Sequence, residues 1–270
     1  MSAEASYRRV LRTASKGGSV DIGHRSVPEE RAVAFSYGGS THAVMMASPA
    51  DLEDFAVGFS LTEGIISRRD EIDTIEVVDA GQGFDVQVGL QDEKADVLRA
   101  RRRHMAGPVG CGLCGIESIE QAVRPIPDVG AVGLKLPGRE LVEAIKALND
   151  GQPLHQQTRA VHGAGFYVPG KGLVAVREDV GRHNALDKLV GAAINAGYSG
   201  ATGVVVVTSR LSVEMVQKAA IFGSSMLIAI SAPTALAIET AETAGMTLVA
   251  IVRGEDFEVF TRADRLILSA

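Results

Sequence analysis

The chain has 270 residues, 46% hydrophobic and 22% charged, with a formal net charge of -6, the composition of a globular protein with one large domain or two modest ones. The acidic balance argues against a general nucleic-acid binder, and no apolar run approaches the ~18 residues a membrane span needs. Residues 1–20 lack the apolar stretch of a secretory signal, and two cysteines make no disulfide framework, so a cytoplasmic protein with working thiols is the simplest expectation.

Residues 1–24 are polar and glycine-containing and read as a mobile leader. An N-terminal α+β lobe is expected over 25–106. Its first strands are Arg31–Tyr37 and 42–46, with Gly38-Gly39 as the hairpin turn. Ser48-Pro49 then opens a helix. Asp51, Glu53 and Asp54 favour its positive dipole end, Leu52, Phe55 and Phe59 share one face, and the helix ends near Gly64. Strands at 74–79 and 84–90 complete the lobe. Residues 92–104 turn helical and basic, with Arg99, Arg101, Arg102 and Arg103 leading into the next segment.

That segment, 107–115, reads Gly107-Pro108-Val109-Gly110-Cys111-Gly112-Leu113-Cys114-Gly115 and holds the only two cysteines. A run so rich in glycine settles poorly into helix or strand, so both sulfurs are expected on a flexible loop. The arginines before it, and the start of a short helix at 117–123 after it, both favour thiolate, the reactive form. The charge run reads equally well as a solvated face.

A C-terminal lobe is expected over 116–270. Residues 138–149 form an amphipathic helix with Leu141, Val142, Ile145 and Leu148 on one stripe and Gly151 as its stop. Strands follow at 165–168, 173–176, 203–207, 226–230 and 247–252. The last three are almost wholly apolar, which predicts a sheet covered on both faces and largely parallel, a three-layer α/β/α arrangement. Asn184, Ser212 and Thr234 are the expected N-caps of helices 185–196, 213–222 and 235–244, stopped by Gly197, Gly223 and Gly245.

In such sheets ligands bind beyond the carboxyl ends of the strands, where helix N-termini point. Thr208, Ser209, Arg210, Ser231, Thr234, Arg253 and Gly254 fall there and make a candidate phosphate site, although no Walker loop or GxGxxG motif is present. Good capping explains the hydroxyls equally well, but not the arginines. A second polar cluster runs Arg177-Glu178-Asp179-Val180-Gly181-Arg182-His183-Asn184. Arg182 and His183 lie at the unfavourable end of a helix dipole, which an anion between them would relieve; alternatively Arg177 pairs with Glu178 or Asp179 in a structural network.

Cys111-Gly112-Leu113-Cys114-Gly115, with Val176 through Lys188, closely resembles the formate dehydrogenase accessory sulfurtransferase family (FdhD). The resemblance continues through Leu61-Thr62-Glu63-Gly64, Glu214-Met215-Val216-Gln217-Lys218, Ser231-Ala232-Pro233-Thr234 and Val252-Arg253-Gly254, covering nearly the whole chain after the leader. It implies a cytidine-deaminase-like C-terminal lobe beside a smaller N-terminal α+β lobe, in a homodimer. It further implies a sulfurtransferase that carries a cysteine persulfide from a cysteine desulfurase to the molybdenum of the bis-molybdopterin guanine dinucleotide cofactor, before that cofactor enters formate dehydrogenase. By the same resemblance Cys111 is the persulfide carrier and Cys114 a second acceptor or relay. Ala250, Ile251, Val252, Arg253, Gly254 and Glu255 form the cofactor-binding segment, with Arg182 and His183 as further candidates.

Other chemistries fit less well. None of the six histidines has glutamate two positions on, so the zinc deaminase signature is missing. Two cysteines supply half a structural zinc site, and no metal is expected. A dithiol redox role stays open, as does a noncatalytic chaperone that holds the cofactor while it matures.

Overall fold

The computed structural model describes residues 6–91 and 125–268. The basic helix expected at 92–104, the cysteine loop at 107–115 and the helix expected at 117–123 lie outside the described residues.

The first described element corrects an expectation. Residues assigned to a mobile leader pair as an antiparallel ribbon, β1 (Tyr7–Lys16) with β2 (Ser19–Pro28), turning at Gly17 and Gly18, both at positive φ. The ribbon was illegible because both strands are mostly polar and exposed, so no buried face imposed a period of two.

The N-terminal lobe follows the predicted order. Strands β3 (Arg31–Tyr37), β4 (Ser40–Ala47), β5 (Ile72–Asp79) and β6 (Gly83–Leu90) form a sheet in the order β4-β3-β6-β5. Gly38 and Gly39 make the hairpin turn at φ 57° and 77°, the left-handed pair that suits strand twist. Helix α1 (Leu52–Thr62) packs Phe55 and Phe59 on Phe35, with Phe59 stacked at 4.5 Å and Phe55 edge-on at 4.8 Å. It begins at Leu52 rather than beside Pro49, because Asp51 turns left-handed at φ 54° and helical geometry starts only after it.

The C-terminal lobe is built on six strands in the order β13-β12-β11-β10-β8-β9. These are β8 (His162–Val168), β9 (Gly172–Asp179), β10 (Val204–Val207), β11 (Met226–Ala229), β12 (Thr247–Arg253) and β13 (Asp256–Thr261); short β7 (Leu136–Pro137) and β14 (Leu266–Ile267) pair separately. Only β10, β11 and β12 run parallel, while β8, β9 and β13 are antiparallel to their neighbours, so the sheet is mixed rather than largely parallel. The apolar runs were correctly read as buried strands. Their direction is set by the connections, which apolarity does not reveal: β8 to β9 and β12 to β13 are hairpins, whereas β9 to β10, β10 to β11 and β11 to β12 are joined by helical crossovers, the first of them passing over β8.

Helices α2 (Gly138–Asp150), α3 (Pro153–Thr158), α4 (Arg182–Asn195), α5 (Val213–Phe222) and α6 (Ala235–Thr243) complete the lobe. Two cores result, one on each sheet face. Leu141, Ile145 and Leu148 of α2 pack with Val204, Val206 and Ile228, and α4, α5 and α6 pack with Val205, Val207, Leu227 and Leu248. Alternate residues of one apolar strand therefore serve opposite cores.

Candidate active site

Beyond the carboxyl ends of β10, β11 and β12 the connecting loops are stitched together side by side. Leu211 N–H donates to the Ala232 carbonyl at 3.2 Å, and Thr234 N–H to the Leu211 carbonyl at 3.0 Å. Ile251 N–H reaches the Ser231 carbonyl at 3.2 Å, and Arg253 Nη1 donates to the Ile230 carbonyl at 2.7 Å. Because β8 is antiparallel, its first residue His162 lies on this same edge, paired with Asp179 at the end of β9. The chain then turns at Val180-Gly181 into α4, which begins with Arg182 and His183. The predicted residues Arg182, His183, Thr208, Ser209, Arg210, Ser231, Thr234 and Arg253 are thus brought to one sheet edge from four separate stretches of chain.

Their hydroxyls are largely engaged by the backbone. Thr208 Oγ1 accepts from Gly163 N–H at 2.9 Å, Ser209 Oγ donates to the Arg210 carbonyl at 3.1 Å, and Thr234 Oγ1 accepts from Ala237 N–H at 3.2 Å as a cap. Ser212 occupies the predicted N-cap position of α5, but its hydroxyl makes no cap bond. The arginines stand differently. Arg210 and Arg253 are exposed, and Arg182 Nε is buried without a hydrogen-bond partner in the described structure. His183 faces Glu214 at 3.7 Å, so Glu214 supplies part of the negative charge that the helix start lacks. The nearby His183 and Ser212 side chains hold the Glu214 carboxyl well below the carboxylate range, at about 2, against the upward pull of burial. His162 is pushed down by burial first and then by the Arg182 charge. Glu214 is quoted from sequence only as part of the family-like stretch 214–218 and is given no role there, although an acid in the first turn next to a capping serine carried the signal.

The 250–255 segment carries the strongest backbone feature. Ile251 adopts φ 56°, a left-handed conformation that a β-branched residue takes only under constraint, and the β12–β13 register shifts between Ala250 and Arg253. The bulge is held by the Ile251–Ser231 and Arg253–Ile230 bonds, and it ends at Gly254, φ 61°, with open space where a side chain would stand. Strain of this kind clusters at ligand clamps.

The 177–188 motif instead joins the lobes, and it corrects two expectations. Arg177 pairs with Asp54 and Asp51 of the other lobe, not with Glu178 or Asp179. Asn184 is no cap, because α4 starts earlier at Arg182; its amide donates to the Met46 carbonyl at 2.8 Å and to Asp179 at 2.9 Å. Asp179 and Lys188, both fully buried, meet at 2.6 Å. Lys188 also donates to the Ser48 carbonyl at 2.8 Å, while Asp179 accepts from Ser48 N–H at 3.0 Å. A second buried set joins Lys218 to both Asp187 oxygens, to Thr62 and to Glu63 at 2.8–3.0 Å. Burial pulls the Lys218 amine down, but Asp187 and Glu63 outweigh it and the net shift is upward, so the ammonium stays charged. Glu178 caps α3, accepting from Leu154 and His155 N–H at 2.8 and 2.7 Å.

Fold and site together define a two-lobed mixed α/β protein with a polar, arginine-bearing sheet edge and a strained strand end. The chain belongs to the FdhD/NarQ family, whose profile matches residues 28–267. It is 74% identical over 268 residues to the sulfur carrier protein FdhD of Agrobacterium fabrum, covering 99% of each chain, and 52% identical over 245 residues to that of Brucella abortus, covering 91% of each. A solved structure from Desulfotalea psychrophila, assigned as a formate dehydrogenase accessory protein, matches with a TM-score of 0.75 at 28% identity, over 97% of this chain and 99% of that one. No described helix is long and apolar enough to cross a membrane.

Proposed function

We propose that this protein carries sulfur as a persulfide on Cys111, taking it from a cysteine desulfurase and delivering it to molybdenum in the bis-molybdopterin guanine dinucleotide cofactor destined for formate dehydrogenase. The observation that carries the reading is the near-full-length identity to proteins named sulfur carrier protein FdhD. In the first step the Cys111 thiolate attacks the outer sulfur of the donor persulfide, the donor's S–S bond breaks, and its thiolate leaves. Cys111 then holds the outer sulfur and presents it to the metal centre, with Cys114 as relay.

The cofactor is the substrate here, and its two guanine nucleotides carry pyrophosphates. Arg182, with a buried nitrogen lacking a partner among the described residues, the exposed Arg210 and Arg253, and the open backbone at Gly254 supply donors suited to phosphate. The strained Ile251 supports a role for 250–255 in holding it. A C-terminal lobe of cytidine-deaminase type, a homodimer offering one site per nucleotide, and a cytoplasmic setting complete the proposal.

Intact-mass spectrometry after incubation with a cysteine desulfurase and cysteine tests it. One added sulfur atom on the peptide containing Cys111, lost in Cys111→Ala, is expected. A Cys111→Ala protein that still yields active formate dehydrogenase would instead identify a chaperone.

A further inference from the structure

The ribbon β1–β2 turns its apolar side to solvent. Its register sets Leu11 opposite His24, Thr13 opposite Ile22 and Ser15 opposite Val20, so period-two alternation puts Leu11, Val20 and Ile22 on one face. They are 69%, 71% and 69% exposed, while Val10, Arg12 and Ala14 of the other face are half covered. Ile22 stands diagonal to Leu11 and in line with Val20, which makes the three one continuous strip. A two-stranded ribbon holds its shape poorly without a further layer. Its own chain supplies one on the covered face, where Arg25 donates to the Thr158 carbonyl at 3.3 Å. The apolar face carries no carboxylate, and Arg9 is its one permanent charge.

The N-terminal lobe holds a groove of complementary character. It encloses about 560 Å3 between the start of α1, the end of β5 and the start of β6. Pro49, Val77 and Phe84 give it an apolar floor, and Glu53 and Asp79 an acidic rim; Asp51 and Asp54 beside them are already met by Arg177. Glu53 is exposed and has no ion-pair partner among the described residues. The ribbon is rooted at this groove, because Arg31, three residues past its end, lies 5.9 Å over the Phe84 ring. Ile22, six strand residues from Pro28, stands about 20 Å out from that root, beyond the groove of its own chain. Across a two-fold axis at the root, each ribbon instead meets the other copy's groove, and the contact is made twice. Charge favours this occupant: the ribbon carries Arg8, Arg9, Arg12, Lys16 and Arg25 against Asp21 in a chain of net charge -6.

We propose that β1–β2 is an exchanged arm that lies in the acidic groove of a second copy of this chain. The strip of Leu11, Ile22 and Val20 covers Pro49, Val77 and Phe84, and Arg9 pairs with Glu53. The proposal rests on the reading of the protein as a homodimer and gives that dimer its contact.

Sedimentation velocity of the full chain over a concentration series tests it. Wild type should be a dimer. Ile22→Asp should weaken the dimer ~10-fold or more, the loss of a central apolar contact, with circular dichroism unchanged because the residue is exposed in the single chain. Arg9→Glu and Glu53→Arg should each weaken it, and the two together should restore most of the affinity. A dimer untouched by Ile22→Asp, or no recovery on exchanging the charges, overturns the arm and leaves the homodimer standing. Loss of binding to a purified cysteine desulfurase in Ile22→Asp, with the dimer intact, would overturn it in favour of that partner. A wild type that is monomeric at every concentration overturns both arm and homodimer.

Discussion

Gly58 of α1 and Gly191 of α4 leave no room for a side chain between their helices. A Cβ on Gly58 would lie 1.7 Å from the Asp187 carbonyl oxygen, and one on Gly191 would lie 1.9 Å from the Asp54 carbonyl oxygen. The two lobes therefore meet backbone to backbone. That close approach also brings Asp54 to Arg177 and Thr62 to Asp187.

Gly58→Ala must push the helices apart and loosen those polar contacts with them. Equilibrium unfolding in urea should show a loss of about 3 kcal/mol, at the upper end for overpacking. Gly133→Ala, where a Cβ meets nothing within 4 Å, serves as the control. Equal stability of the two variants would show that the lobes do not need this spacing.

Lys188→Met removes the charge that balances buried Asp179 and keeps the side-chain volume. A buried carboxylate left unpaired costs about 3–5 kcal/mol. Adding Asp179→Asn to Lys188→Met should recover part of that, since no net charge then remains buried. A thermal melt of Lys188→Met matching wild type would contradict the pairing.

Ile251→Gly relieves a left-handed β-branched residue, at the cost of extra chain entropy when unfolded. Left-handed strain of about 1–2 kcal/mol is offset by about 0.5–1 kcal/mol of glycine entropy and about 1 kcal/mol for the side chain that packs on the core, which leaves a net change near zero. The variant should melt close to wild type and bind GDP more weakly, separating stability from binding. Tighter binding would mean that the strain serves no clamp.

Glu214 links stability to acid pH. Its carboxyl is held at about 2 in the folded protein, below its ordinary value of 4.5. Its contribution is therefore complete above pH 4.5 and disappears as the pH falls towards 2. His183 stands 3.7 Å from Glu214, too far for a hydrogen bond, so a solvent-screened contribution of about 1 kcal/mol is expected. Glu214→Gln should lose about that much at pH 6 and nothing at pH 2 relative to wild type, measured by denaturant midpoint. A constant difference across that range would assign the effect to packing.

Much of the architecture was readable because its causes are local. Four-residue apolar runs such as Val204–Val207 announce buried strands, and Gly197, Gly223 and Gly245 stop helices where only a left-handed residue fits. The cluster at the sheet edge was also foreseeable, since residues just past parallel strands must share one end.

Tertiary structure decided the rest, because the deciding partners are remote in the chain. Arg177 finds Asp54 across 123 positions and Lys188 finds Ser48 across 140, so no spacing rule assigns them. Without the interlobe contact, the 177–188 motif reads as a binding loop; with it, most of the motif proves to be a buried clasp that leaves Arg182 and His183 at the edge. Strand direction and the strained turn at Ile251 follow likewise from which segments pair. The residue types of the chain determined what could be buried and where helices end, whereas long-range pairing determined which polar groups remain free to meet a ligand.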